Sequence, residues 1–450
     1  MPTSDTIVAL ATPPGRGGIG VIRLSGPDAL SLTRRLVKNA DFTPAPRQAV
    51  LRRLFAPENA MLLDHALLTY FRAPHSFTGE DVMEFSCHGA PVVLRQIVDS
   101  LLQMGARAAG PGEFSLRAVG HGRINLSQAE AIRDLINAQT VAAVNQAARQ
   151  LGGALSAQLQ PLKDTLIRAI VQLESALEFV EDDLPAVASA RLFSDIRSLV
   201  SQIADLSSTY RTGRLFRDGL RVALVGRPNA GKSSLFNALL SDERAIVTAI
   251  PGTTRDTLSE YFVLDGIPVQ LTDTAGLRES TELIESIGIA RTHRALADAD
   301  MVCVVLDGTQ SLTPEDHAVL ALAAARLHVI VANKSDLADF APHNLTPDAV
   351  TVSAKNRTGL NELRAALIAP FANHDTSYAG LLITDARHHD LLRRAHDELT
   401  SSAQLLEQRA SEELTLVGLH NALRYLGQIT GETTTEDILT QIFTTFCIGK

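Results

Sequence analysis

The apolar positions fall into three successive textures. Up to about residue 118, short apolar runs ("TIVALAT", "GVIRLSG", "HALLTYF") alternate with Gly/Pro turns, and one longer stretch, "PVVLRQIVDSLLQM", has helical spacing. This pattern predicts an α+β domain. From about 125 the chain reads as helix. In "LSQAEAIRDLINAQTVAAVNQAARQL", Ile132, Leu135 and Ile136 recur at helical spacing behind Ser127 and Glu130, which form a capping-box pair. Ala- and Leu-rich periodicity continues to about 210, with a break near "EDDLPAVAS". From "GLRVALVG" to about 370, strands alternate with helices, as in a parallel α/β sheet. Helical texture then returns in "ARHHDLLRRAHDELTSSAQLLEQ" and "EELTLVGLHNALRYLGQIT".

The expected architecture is therefore multidomain. An α+β N-terminal domain spans 1–118. A discontinuous all-α helical domain is made from 119–218 and 373–450. An α/β domain, 219–372, is inserted between its two segments, and domain termini that lie close together make insertion possible.

Bulk properties narrow the class. The chain has 450 residues, 45% of them hydrophobic, and no tryptophan. No apolar run approaches the roughly 18 residues of a membrane span, and the start "MPTSDTIVALATPPG" lacks the features of a secretory signal. The expectation is a cytoplasmic protein with no membrane association. Three cysteines, Cys87, Cys303 and Cys447, give no disulfide framework and suit a reducing compartment. The net charge of −9 argues against a broad non-specific nucleic-acid surface but leaves room for a local patch.

The inserted domain carries the clearest chemistry. "GRPNAGKSS" at 226–234 matches G-x-x-x-x-G-K-[ST] between a β-rich run and a helical pattern. Gly226 and Gly231 would let backbone N–H groups converge on phosphate oxygens, Lys232 would reach the β- and γ-phosphates, and Ser233 would ligate Mg²⁺. Asn229, Ala230 and Ser234 complete this contact loop. "GTTRD" supplies Thr253 and Thr254, with Thr254 expected to close on Mg²⁺. "DTAG" follows an apolar run; Asp273 would meet Mg²⁺ through water, Thr274 and Ala275 lie beside it, and the Gly276 N–H would meet the γ-phosphate. "NKSD" provides Asn333, Lys334 and Asp336, whose carboxylate can accept the two donors on guanine's edge; adenine offers no such pair. "SAK" provides Ser353, Ala354, whose N–H can meet the guanine O6, and Lys355. These elements stand in order at predicted strand ends, where open α/β sheets bind ligands. The set resembles the P-loop GTPase superfamily and selects GTP.

One position departs from the Ras-type pattern. Leu277 occupies the place of a water-orienting glutamine and cannot orient water. Asn229 and the carbonyl-rich loop "IVTAIPGTTRD" suit a monovalent cation that would stand in for an arginine finger. Glu285, in "ELIESIGIAR", reads either as a solvated helical glutamate or as a group positioning water.

Taken with "FTGEDV", "PGEFS", "LSQAEAI" and "FCIGK", the motifs resemble the MnmE (TrmE) family of tRNA-modification GTPases along the whole chain. The resemblance implies a homodimer working with the flavoprotein MnmG, which carries FAD, in a heterotetramer or larger assembly. Together they add a carboxymethylaminomethyl or aminomethyl group at C5 of the wobble uridine of certain tRNAs. It implies Mg²⁺-dependent, K⁺-stimulated GTP hydrolysis, with Asn229, Thr248, Ile250 and Thr253 around K⁺, Thr248 and Thr253 also beside the nucleotide, and Glu285 as the catalytic carboxylate. It implies a folate-binding-like N-terminal fold that holds formyl- or methylene-tetrahydrofolate.

The residues can be read beside that. Glu80 suits a pterin's N–H edge, and Arg23 and Arg123 suit an anionic glutamate tail. "GRGGIG" at 15–20 spells a dinucleotide fingerprint, but the following "VIRLSG" reads as strand, so a glycine turn presenting Arg23 is the better account. Adjacent strand positions send Cys87 and His88 to opposite faces, against a zinc site. Cys303, in "MVCVVLD", reads as a core residue. Cys447 is flanked by Phe443, Phe446 and Ile448, which predicts a packed tail; the resemblance puts this tail beside the folate, with Lys450 meeting the ligand and Cys447 near the one-carbon group. Two other readings are an RNA-binding GTPase that modifies nothing and a switch prenylated at "CIGK"; the latter lacks a polybasic flank.

Overall fold

A computed structural model describes residues 5–178, 186–241, 259–273, 298–341, 347–371, 380–408, 412–434, 439 and 442–449. The chain forms two compact units, Met1–Arg133 with Gln150–Ile167 and His420–Lys450, and Asp134–Arg149 with Arg168–Leu419.

In the first unit, strands β1 (Ile7–Leu10), β2 (Ile19–Ser25), β3 (Ala49–Phe55), β4 (Leu62–Phe71), β5 (Val82–His88) and β6 (Arg107–Ala108) form a sheet of order β3-β4-β5-β2-β1-β6. Its pairings are antiparallel except β1 with β6. β4 alternates buried and exposed residues, so one face is covered. Helices Ala29–Leu36 and Pro91–Gln103 share a core with that face around Phe85, Met83, Leu68 and Ile97. This is the α+β layout read from the apolar pattern.

"GRGGIG" leads directly into β2, as expected. Its glycines serve a close approach of two chain segments: Gly17 N–H donates to the Gly89 carbonyl at 3.1 Å, and a Cβ on Gly89 would lie 2.4 Å from the Gly17 oxygen.

The capping box at the start of the helical stretch needs correcting. Helix Leu126–Asn137 begins one residue before Ser127, and the reciprocal pair is Asn125 with Gln128. The Gln128 N–H donates to Asn125 Oδ1 at 2.9 Å, and the Asn125 N–H donates to Gln128 Oε1 at 3.0 Å. Ser127 and Glu130 are buried within the helix. Asn caps as well as Ser does, so the box could have been read two residues earlier.

The second unit holds the other sheet. Strands β7 (Leu220–Val225), β8 (Ser259–Leu264), β9 (Ile267–Asp273), β10 (Met301–Asp307), β11 (His328–Asn333) and β12 (Val350–Thr351) run in the order β12-β11-β10-β7-β9-β8. All pairings are parallel except the β8–β9 hairpin. That hairpin turns on Asp265 and Gly266, both at positive φ (48° and 81°), the requirement of a two-residue type I′ turn. β10 is buried at every position, as a central parallel strand covered on both faces must be. Cys303 sits there as the expected core residue, fully buried. Helices Ala186–Ser208, Tyr210–Asp218 and Ala386–Glu407 also belong to this unit. Among the described residues, no helix is long and apolar enough to cross a membrane.

Candidate functional site

The carboxyl ends of β7, β10 and β11 carry the chemistry of the second unit. Between β7 and helix Lys232–Ser241, the loop 226–231 turns through three positive-φ residues, Gly226 (151°), Asn229 (61°) and Gly231 (95°). Both glycines are obligatory for steric reasons. A Cβ on Gly226 would lie 2.3 Å from the Val305 oxygen, and one on Gly231 would lie 2.2 Å from Asn333 Nδ2. The loop therefore ends at a helix N-terminus, where free N–H groups and the helix dipole favour an anion. Lys232 is buried, and its ammonium donates to the Gly226 and Arg227 carbonyls at 2.8 and 2.7 Å. Asn229, Ser233 and Ser234 lie on the exposed side, and Ala230 is buried beneath them.

Asn333 ties three of the motifs together. Its side-chain amide donates to the Ala230 carbonyl at 3.0 Å and accepts from the Ala354 N–H at 3.2 Å. Ser353 donates to Asp336 Oδ1 at 2.7 Å, and this bond, with Lys355 and Lys334 nearby, holds the Asp336 carboxyl below its ordinary range. Lys334, itself at φ 70°, donates to Asp307 Oδ2 at 2.7 Å. Burial works against an ionised Asp307, but Lys334 and Thr309 outweigh it and bring that carboxyl below the usual range. The role of Asn333 as a clamp was legible only as part of a motif, because its two partners come from other loops. Asp307 was missed; a lone aspartate closing an apolar strand was its one signal.

Thr248, Ile250, Thr253, Thr254, Thr274, Ala275, Gly276, Leu277, Glu285 and Lys450 lie outside the described residues, and of Asp273 only the place at the end of β9 is described.

In the first unit, charged side chains converge near β2. Arg23 makes a paired contact with Glu84 (2.9 and 2.8 Å), donates to the Gly449 carbonyl at 3.2 Å, and lies over the Phe77 and Phe114 rings. Glu80 accepts from the Ser25 hydroxyl at 2.7 Å and from Arg117 at 3.1 and 3.2 Å. Arg117, only 5% exposed, also binds Asp5 and Glu113 and is the buried hub of the group. It was missed by sequence reading, although it stands four residues after Glu113 on one helical face. Arg123 donates to the Ser76 carbonyl at 3.2 Å, and Ser76 donates to the Glu80 carbonyl at 2.5 Å.

The 442–449 segment docks on the same unit. Phe443 and Phe446 pack against Leu126, Ala129, Leu116 and Val119. The Gly112 N–H donates to the Cys447 carbonyl at 3.3 Å, and Ile448 bridges Pro111. Two of the three expected apolar anchors are thus buried; Ile448 is 60% exposed and holds through its backbone. The Cys447 thiol is exposed, whereas burial pushes both Cys87 (with Asp64 adding to the shift) and Cys303 up to about 12, leaving them protonated core thiols.

Comparison with known proteins agrees with this layout. Residues 126–447 match the model of the MnmE helical domain, and residues 6–123 match that of the GTP-binding protein TrmE N-terminus. Relatives named tRNA modification GTPase MnmE align end to end. The Koribacter versatilis protein is 44% identical over 100% of both chains. The Aquifex aeolicus protein is 41% identical over 99% of this chain and 100% of its own. The chain belongs to the MnmE family of tRNA modification GTPases. Among solved structures, the G domain of the T. maritima FeoB iron transporter is similar to 33% of this chain, at 27% identity and a TM-score of 0.25. In this MnmE-family chain the two regions of interest lie in different units: the phosphate-loop cluster in the second, and the Arg23–Glu80–Arg117 cluster with the docked 442–449 segment in the first.

Proposed function

We propose that this chain hydrolyses GTP to drive modification of the wobble uridine of certain tRNAs, acting as a cytoplasmic homodimer with the flavoprotein MnmG and its FAD. The observation that carries the nucleotide half is the Asn333 clamp, which ties the phosphate loop to the "SAK" turn, whose Ser353 holds Asp336. Asp336 reads the guanine edge, Ala354 meets O6, and Asn229 to Ser234 surround the phosphates, with Lys232 neutralising their charge. Ser233 and Thr254 hold Mg²⁺; Asp273 and Gly276 act near it. Asn229, Thr248, Ile250 and Thr253 hold K⁺, and Glu285 positions water.

The second half concerns folate. The N-terminal domain is read as folate-binding-like, with Glu80 at the pterin edge and Arg23, Arg123 and Lys450 at the anionic tail. Support comes from the partners around Glu80, where Arg117 and Ser25 hold the carboxylate in place. Cys447, exposed on a segment anchored by Phe443 and Phe446, acts near the one-carbon group. The four-part division at 1–118, 119–218, 219–372 and 373–450 belongs to the same reading.

The test is nucleoside analysis of tRNA from cells lacking the protein. Loss of the modified wobble uridine is expected; an unchanged nucleoside profile overturns the proposal.

A further inference from the structure

Residues 29–55 invert the charge of the chain. Arg34, Arg35, Lys38, Arg47, Arg52 and Arg53 face a single acidic residue there, Asp41, in a molecule of net charge −9. The fold gathers most of these cations at one edge of the first unit, beside β3.

Arg34 donates to the Phe42 carbonyl at 2.9 Å, and Arg52 lies over the Phe42 ring at 5.1 Å, so the two guanidiniums meet at one residue. Lys38 lies over the Phe55 ring at 5.4 Å. The Arg47 N–H donates to the Tyr70 carbonyl, and its guanidinium donates to the His75 carbonyl; the His75 N–H in turn donates to the Arg72 carbonyl. Arg47 and Arg72 therefore share the 70–75 turn. Tyr70 joins the two groups. Burial and then the Asp81 hydrogen bond push its hydroxyl up to about 12, while Arg72 and Arg34 pull it down.

Several arginines elsewhere in the chain are neutralised by carboxylates. Arg23, Arg107, Arg117, Arg214 and Arg393 each make an ion pair. Arg34, Lys38, Arg47, Arg52 and Arg72 make none among the described residues; the Arg34, Arg47 and Arg52 guanidiniums donate to carbonyls, and Lys38 and Arg52 lie over aromatic rings. All but the half-buried Arg34 are exposed. Asp81, beside the 70–75 turn, is already engaged by the Tyr70 hydroxyl and the Ala73 N–H. Exposed cations held by carbonyls and aromatic rings and not by carboxylates match a polyphosphate backbone.

We propose that this edge docks the phosphate backbone of tRNA, an inference that rests on the reading of the chain as a tRNA-modifying protein. Phosphate contacts there position the RNA and carry no sequence information.

The experiment measures tRNA binding by fluorescence anisotropy across a salt series, using the full chain. An Arg52→Gln/Arg72→Gln variant is compared with an Arg393→Gln/Arg394→Gln control, which removes the same charge from arginines already paired with Asp390 and Asp397. The first variant is expected to bind about tenfold more weakly near physiological salt, with the slope of log K against log salt shallower by about two. The control stays within about twofold of wild type, and thermal midpoints and GTP turnover are unchanged in both. Equal binding by the first variant and wild type overturns the proposal, as does an equal loss in the control. If RNA binding is unaffected but MnmG no longer associates, the edge serves a protein partner and the proposal also fails. A wild-type chain that binds no tRNA overturns it too, while nucleoside analysis of cells lacking the protein judges the parent reading separately.

Discussion

The Asn333 side-chain amide donates to the Ala230 carbonyl at 3.0 Å. This bond fixes the end of β11 to the phosphate loop, and the same side chain accepts from Ala354. A buried group left without its partner costs about 1–3 kcal/mol. Asn333→Ala should therefore lower stability by about that amount and weaken GDP binding by roughly tenfold or more. Gly231→Ala should act similarly, because its Cβ would press on Asn333 Nδ2. Calorimetric nucleotide titration and thermal melts check both; wild-type values in both assays contradict the clamp.

Asp336 should set the choice of base. Its carboxylate is kept ionised by Ser353 and nearby lysines. Asp336→Asn should weaken GTP binding and improve xanthosine triphosphate binding, since xanthine replaces the guanine amino donor with a carbonyl that an amide can meet. Competition binding with the two nucleotides gives the answer. An unaltered preference means that the 333–336 stretch does not read the base.

Hydrolysis should depend on the monovalent cation. Asn229 stands exposed at φ 61° at the top of the phosphate loop, and Leu277 in the sequence offers no group to orient water. GTP turnover with Mg²⁺ should be high in K⁺ and low in Na⁺ at matched ionic strength. Equal rates in the two salts remove the cation from the mechanism.

Cys447 should matter for modification and not for GTP hydrolysis. It is the exposed thiol among the three, and its segment is anchored by residues on either side. Cys447→Ser should leave GTP turnover near wild type and abolish tRNA modification, measured on the same preparation. Normal modification makes the thiol incidental; lost GTP turnover makes it structural.

The sequence was most legible where local pattern and chemistry coincide. The apolar run of β10, the strand after "GRGGIG" and the glycine spacing of the phosphate loop each have a local cause, a buried strand or a steric demand on the backbone. What stayed hidden depends on contacts between distant segments. The two partners of Asn333, Ala230 and Ala354, lie 103 and 21 residues away, and the Gly449 carbonyl that Arg23 binds lies 426 residues away. The role of Arg117 depends on Asp5 and Glu80, 112 and 37 residues away, as well as on the neighbouring Glu113. The misplaced capping box had another origin: two overlapping pairs satisfied the same spacing rule, and the chain used the asparagine.

The central claim, that this phosphate loop drives tRNA modification, is tested most directly by replacing Lys232. Cells lacking the protein are supplied with either the wild-type chain or Lys232→Ala, and their tRNA nucleosides are quantified by mass spectrometry. The wild-type chain should restore the modified wobble uridine, and Lys232→Ala should leave it at the level of the deletion. Full modification by the Lys232→Ala chain, expressed at the wild-type level, would contradict the account.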